Sequence, residues 1–156
     1  QINTVPLHDA LPISRGQFLV MMMNAYGITP DASHKDNFVD AGNTYYTTYL
    51  ATAKKLGITT GIGQNQFAPD AVISRQDMFT MLYNTLVIMG ELPENTSTLK
   101  AESFADYDAV NAYAKEAMKA LVEGGYISGK NNMLVPKGLA SRAEVAEVLY
   151  NLLMLK

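Results

Sequence analysis

The sequence predicts an all-α fold of tandem helix-loop-helix repeats, and three observations carry that reading. A short motif is written three times, as Ile13-Ser14-Arg15-Gly16-Gln17, Ile73-Ser74-Arg75-Gln76-Asp77 and Ala140-Ser141-Arg142-Ala143-Glu144. After each copy comes an apolar stripe at helical offsets: Phe18, Met21 and Met22, then Met78, Met81 and Leu82, then Val145, Val148 and Leu149. A second landmark, Phe38-Val39-Asp40, recurs 66 residues later as Phe104-Ala105-Asp106, and each copy opens a stretch that closes on the serine-arginine motif.

The motif itself is a helix start. The serine side chain can accept from the third helical amide, and Gln17, Asp77 or Glu144 can reach back to the serine amide. Taken in order, 14–28 is one such helix with its exit and reads as the second half of a repeat whose first half is truncated. The unit 38–90 is whole. Its first helix runs over 45–56 with Tyr46, Tyr49, Leu50 and Ala53 on one face, and Gly57 ends it. A glycine-rich loop with Phe67 and Pro69 follows, and the helix from Ser74 extends to about Met89. The unit 104–155 repeats this order, with a stripe from Val110 to Leu121, a Gly124-Gly125 stop, a loop around Leu134 and a closing helix from Ser141. Two short helices cannot bury much surface alone, so the units must share one core and form one compact domain. Leu7-His8-Asp9-Ala10-Leu11-Pro12-Ile13 resembles the translation of a sequencing adapter, and 1–13 is read as an assembly artefact or a disordered stretch.

The arginine is the unexpected part of the motif. At the first helical position its charge faces the positive end of the helix dipole, which is disfavoured by roughly 0.3 to 1 kcal/mol when exposed and unpaired. Three occurrences, Arg15, Arg75 and Arg142, imply something negative beside each. One source is an anionic ligand at the helix start, meeting both the guanidinium and the dipole. The other is a carboxylate of the chain, either Asp40, Asp106 or the acid of the same cap.

Composition narrows the function classes. The 156 residues are 48% hydrophobic and 17% charged, ordinary for a folded domain. A net charge of −3 argues against a nucleic-acid partner, which asks for a basic surface. No apolar run approaches the 18 or so residues of a membrane span, so no membrane insertion is expected. The opening residues lack a basic start followed by an apolar core, so export is not read from them. With no cysteine and two histidines, soft metal sites and thiol chemistry are excluded, and Asp36, Asp40 and Asn43 miss the calcium-loop spacing. No nucleophile is placed with a histidine and no phosphate loop appears, so no catalytic residue and no cofactor are assigned. Met21-Met22-Met23 reads as core filling, and Phe38, Phe67, Phe104 and Leu134 as plugs beneath the loops.

Phe-x-Asp, a helix with an aromatic near its start, Gly-Ile-x-x-Gly, Phe-x-Pro-Asp and Ile-Ser-Arg-x-acid, in that order, resemble the S-layer homology domain. The pattern is nearly complete over 38–86, mostly present over 104–153, and half present over 14–28. The resemblance implies three repeats in a pseudo-threefold, three-pronged spindle. It implies a non-catalytic module that anchors exported proteins to secondary cell-wall polysaccharide, often pyruvylated and anionic, on the exterior of bacteria with a Gram-positive-type envelope. Other domains of the same exported protein are the further partner implied. Carried over by position, the ligand-binding residues are Arg15, Arg75 and Arg142, Asp40 and Asp106, and Tyr46 with Tyr113 one residue out of register. The family's aromatic is commonly tryptophan, absent here, and Asp77 and Gln17 stand where its glutamate does; reduced affinity is expected. Two other functions stay open: a structural or protein-docking repeat whose grooves are filled by its own side chains, and a piece of an enzyme whose catalysis lies in another domain.

Overall fold

The computed structural model describes residues 11–154. They form five α-helices, α1 (Arg15–Ala25), α2 (Thr47–Leu56), α3 (Arg75–Met89), α4 (Lys115–Glu123) and α5 (Arg142–Met154). Among the described residues there is no strand, only isolated bridges, so the chain is all-α. None of these helices is long and apolar enough to cross a membrane.

Three serines start three helices, as their spacing predicts. Ser14 accepts from Gln17 N at 3.1 Å, Ser74 from Asp77 N at 3.2 Å and Ser141 from Glu144 N at 3.2 Å. The reciprocal bond closes in α1, where Gln17 Oε1 accepts from Ser14 N at 3.1 Å. Asp77 and Glu144 instead turn to arginines, which offer a carboxylate a stronger, charge-assisted bond than one amide does. The first helix of the middle unit starts at Thr47, two residues later than its apolar stripe suggests. Thr47 Oγ1, accepting from Thr44 N and donating to Ala41 O, ties down the turn before it. In the last unit, 3-10 turns at Tyr107–Ala109 and Ala112–Ala114 take up the start of the stripe, and α4 begins only at Lys115.

The starts of α1, α3 and α5 meet at one centre. Ile73 N donates to Ile13 O at 3.0 Å, Ala140 N to Ile73 O at 3.0 Å and Ile13 N to Ala140 O at 3.3 Å, closing a ring of three equivalent residues with no exposed surface. A second ring surrounds it: Arg15 N to Ala71 O, Arg75 N to Gly138 O and Arg142 N to Leu11 O. Ile13 is thus a core residue, while 1–10 of the stretch read as an adapter lie outside the described residues. The helices share a single hydrophobic cluster, from Ile13 and Phe18 through Phe79 to Leu152. Met22 and Met23 are wholly buried in it, and the Thr85 hydroxyl rests 3.4 Å from the Met22 sulfur.

The landmark aspartates hold the loops. Asp40 accepts from Phe67 N at 2.9 Å and Ala68 N at 2.7 Å; Asp106 accepts from Leu134 N at 2.8 Å and Val135 N at 2.7 Å. Each clamp presses an apolar plug inward, and Phe67 and Leu134 have no exposed surface.

Candidate functional site

From each loop clamp the same pattern leads outward to an arginine. Arg15 donates Nε to Phe67 O at 2.8 Å, so the loop is held by Asp40 at its amide and by Arg15 at its carbonyl. The guanidinium lies 4.7 Å from the Phe67 ring centroid, and its Nη1 donates to Asp77 Oδ2 at 2.7 Å. Burial lowers the Arg15 pKa from its ordinary value, with the Asp77 charge opposing. Arg75 repeats this: Nε meets Leu134 O at 2.9 Å, Nη1 pairs with Glu144, and burial again lowers its pKa. Arg142 is exposed, and its Nη2 donates to Gln17 Oε1 at 3.1 Å. Every motif arginine therefore meets the third helical residue of another motif's helix. The sequence-based expectation of Asp40, Asp106 or the acid of the same cap as hydrogen-bond partner is corrected on this point, because the central ring sets each helix start against the next.

Tyr113 joins the first of these pairs. Its hydroxyl donates to Asp77 Oδ1 at 2.5 Å, and burial together with the Asp77 carboxylate pushes the phenol up to about 12. Arg15 stands on α1, Asp77 on α3 and Tyr113 on the 3-10 turn before α4. With Thr60, Thr80 and Asn84 they line a groove of about 520 Å³, the size of a small-ligand site. A second groove, of about 600 Å³, is lined by Arg75, Glu144, Lys130, Ser128, Glu147 and Asn151 among others.

The seven sequence-based candidates divide by position. Arg15 and Tyr113 share the first groove and Arg75 lines the second, whereas Arg142 lines neither. Asp40 and Asp106 line neither groove, and both carboxylate oxygens of each are taken by loop amides. Tyr46 is 7% exposed, with its hydroxyl on Asp70 at 3.1 Å and its ring packed beside Gly16. The offset that lays Leu50 on Met118 and Gly61 on Gly129 pairs Tyr113 with Tyr45, not Tyr46, and Tyr45 is 59% exposed. Asp77 is the groove residue that sequence reasoning passed over, because nothing local marks it as more than a cap.

Among the described residues no three His, Cys, Asp or Glu side chains converge as a metal site would need. A model of the S-layer homology domain matches residues 37–79 and 103–146, more than half of the chain. The chain belongs to the S-layer homology domain family. Among its relatives, an exoglucanase, XynX, of Acetivibrio thermocellus is 29% identical over 143 residues, covering 90% of this chain and 13% of that protein. The S-layer protein sap of Bacillus anthracis is 28% identical over 137 residues, 88% of this chain and 16% of its own length. An endoglucanase of Bacillus sp. strain KSM-635 is 32% identical over 149 residues, 90% of this chain and 15% of its length. The chain thus spans about a sixth or less of these relatives. S-layer homology domains are non-catalytic anchoring modules of S-layer proteins and cell-surface enzymes, extracellular in bacteria with a Gram-positive-type envelope. The first groove gathers side chains from α1, α3 and the turn before α4, and the second from α3, α5 and the loop between α4 and α5.

Proposed function

We propose that this chain holds a larger exported protein to the cell wall by binding a pyruvylated, anionic secondary wall polysaccharide in the grooves between its repeats. The observation that carries this reading is the placing of Arg15 and Arg75. Each emerges beside a helix start into a groove lined by more than one repeat, with Nη2 left without a protein partner among the described residues. Arg142, the third motif arginine, is exposed beside an uncharged partner. Asp40 and Asp106 serve by fixing the loops that form the groove walls. Tyr113 offers an aromatic face, and Tyr46 supports exposed Tyr45 through an edge contact at 5.1 Å between ring centroids.

The test is sedimentation with purified wall sacculi that retain their polysaccharide. The chain is expected to sediment, less when pyruvate is removed from the glycan, and less again as Arg75→Ala. Undiminished sedimentation of a folded Arg75→Ala protein removes that arginine from the site, and no sedimentation by the wild type overturns the reading. A second reading is favoured by the pairs Arg15–Asp77 and Arg75–Glu144, in which the module's own acids occupy its cations. The grooves then serve only to lock repeats together, and the module docks or spaces neighbouring domains. Sedimentation indifferent to the polysaccharide would select it.

A further inference from the structure

The face that α1 and α3 each turn to a neighbouring helix occurs a third time, on α5, where none of the described residues covers it. In α1 the second, fifth and ninth helical residues are Gly16, Leu19 and Met23, all buried. Here α2 packs: a Cβ on Gly16 would stand 3.0 Å from Tyr46 Cδ1, and the Tyr49 hydroxyl donates to Asn24 Oδ1 at 2.9 Å. In α3 the same positions are Gln76, Phe79 and Tyr83, the first two buried and the third half-buried. The segment that becomes α4 lies beside them, with Asn111 N donating to Gln76 Oε1 at 3.0 Å and the Tyr83 hydroxyl to Glu116 Oε1 at 3.0 Å.

In α5 these positions are Ala143, Ala146 and Tyr150, and all three are exposed, Tyr150 at 61%. Met154, one turn further along the face, is exposed as well. The Tyr150 hydroxyl and the Asn151 amide stand where Tyr83 and Asn24 make their interhelical bonds, and neither has a partner among the described residues. The side chains also say what kind of helix fits. Ala143, like Gly16, is small enough to admit a ring, and Asn151, like Asn24, offers an oxygen to a tyrosine hydroxyl. The slot is therefore the counterpart of the one α2 fills, not of the one on α3, where the bulkier Gln76 receives a backbone amide. We propose that this face of α5 is a docking surface for an amphipathic helix that opens on tyrosines as α2 does, supplied by another part of the larger protein. Only that source rests on the anchoring reading; the face can be tested without a wall.

The experiment titrates the isotope-labelled whole chain with a peptide of residues 41–57, the α2 segment, and follows backbone amide shifts. Saturable shifts are expected at Ala143, Ala146 and Tyr150, at weak affinity because so short a helix must form as it docks. A peptide with Tyr46→Ala and Tyr49→Ala is expected to bind about tenfold more weakly, since aromatic anchors dominate such contacts. Ala146→Arg in the chain, at an exposed site, is expected to abolish the shifts. No shift at millimolar peptide, shifts confined to other helices, or unchanged binding by Ala146→Arg would each overturn the proposal. So would a wild type whose sedimentation equilibrium shows a dimer that Ala146→Arg dissolves, because a second copy would then hold the face. A chain that binds the peptide yet sediments with no wall sinks the anchoring reading alone, and one that sediments with walls yet ignores the peptide sinks only this docking surface.

Discussion

Arg15 Nη1 and Asp77 Oδ2 lie 2.7 Å apart across 62 residues of sequence, joining the first helical residue of α1 to the third helical residue of α3. Arg75 and Glu144 repeat the relationship, and Arg142 with Gln17 closes it into a cycle. The three links are not equal. Two are ion pairs with half-buried acids, while the third joins an exposed guanidinium to an amide. Stability and ligand chemistry should divide along the same line.

Arg15→Ala is the costly substitution of the cycle. It strips a partner from the buried Phe67 carbonyl and from Asp77, and removes a cation from above the Phe67 ring. A loss of about 3 kcal/mol is expected, since both orphaned acceptors bear their desolvation cost. Arg142→Ala, exposed and held by one bond to an amide, should stay within about 0.5 kcal/mol of wild type. Urea unfolding at constant m-value checks both. Equal midpoints for the two variants would mean that the Arg15 contacts add nothing to stability.

Gln17→Glu should stabilise the chain. A glutamate keeps the acceptor that closes the Ser14 box, adds negative charge at the positive end of the α1 dipole, and gives Arg142 the carboxylate that Arg15 and Arg75 already have. The dipole and an exposed ion pair together are worth about 0.5 to 1 kcal/mol. The melting temperature should rise by a few degrees at low salt, and the rise should shrink as salt is added. A fall would show that Arg142 and residue 17 do not meet in solution.

What was legible in the sequence was local. Cap chemistry fixed three helix starts, helical periodicity found Phe18, Met22, Leu82 and Leu149, and the loop plugs Phe67 and Leu134 followed from their landmarks. The arginine's discomfort at a helix start implied a negative neighbour, which Arg15 and Arg75 have and Arg142, held by the Gln17 amide, does not. Which neighbour it was could not be read, because Asp77 becomes a partner of Arg15 only through the ring Ile13, Ile73 and Ala140 make at the centre. Tyr46 is not the counterpart of Tyr113, because the repeat offset is 66 residues at Asp40 and Asp106 but 68 at Leu50 and Met118, which sets Tyr113 against Tyr45. The short 3-10 turns between them absorb the two added residues, and no periodicity announces a turn of that kind.

The loop glycines should be far less replaceable than the glycine that ends a helix. Gly61 has φ +81°, and a Cβ there would lie 2.1 Å from Gln66 O and 2.7 Å from the Phe38 ring. Gly129, at φ +68°, would meet the Phe104 ring at 2.4 Å. Alanine at either site adds backbone strain to a collision with a buried plug, a cost of about 3 kcal/mol or more. Gly57→Ala, also at positive φ but with open space around it, should cost about 1 kcal/mol. Thermal unfolding of the three single variants checks this, and a Gly61→Ala protein no weaker than Gly57→Ala would contradict the packing of Phe38 against the loop.

Stability should fall in alkali, and the sign follows from the tyrosines. Burial pushes the phenols of Tyr26 and Tyr113 up to about 12, Glu91 adding to it at Tyr26 and the Asp77 carboxylate at Tyr113. An unfolded chain sheds the same protons near pH 10. Between those values the folded state binds more protons than the unfolded one, so the free energy of unfolding declines with pH. The contribution is complete below about pH 10 and is lost as pH climbs towards 12. Urea midpoints across that range, read beside phenolate absorbance, should show the decline. Tyr113→Phe keeps the ring, removes the titrating hydroxyl and should make the decline shallower. An identical slope would mean that Tyr113 does not hold its proton against Asp77, and the hydrogen bond closing the first groove would then be absent in solution.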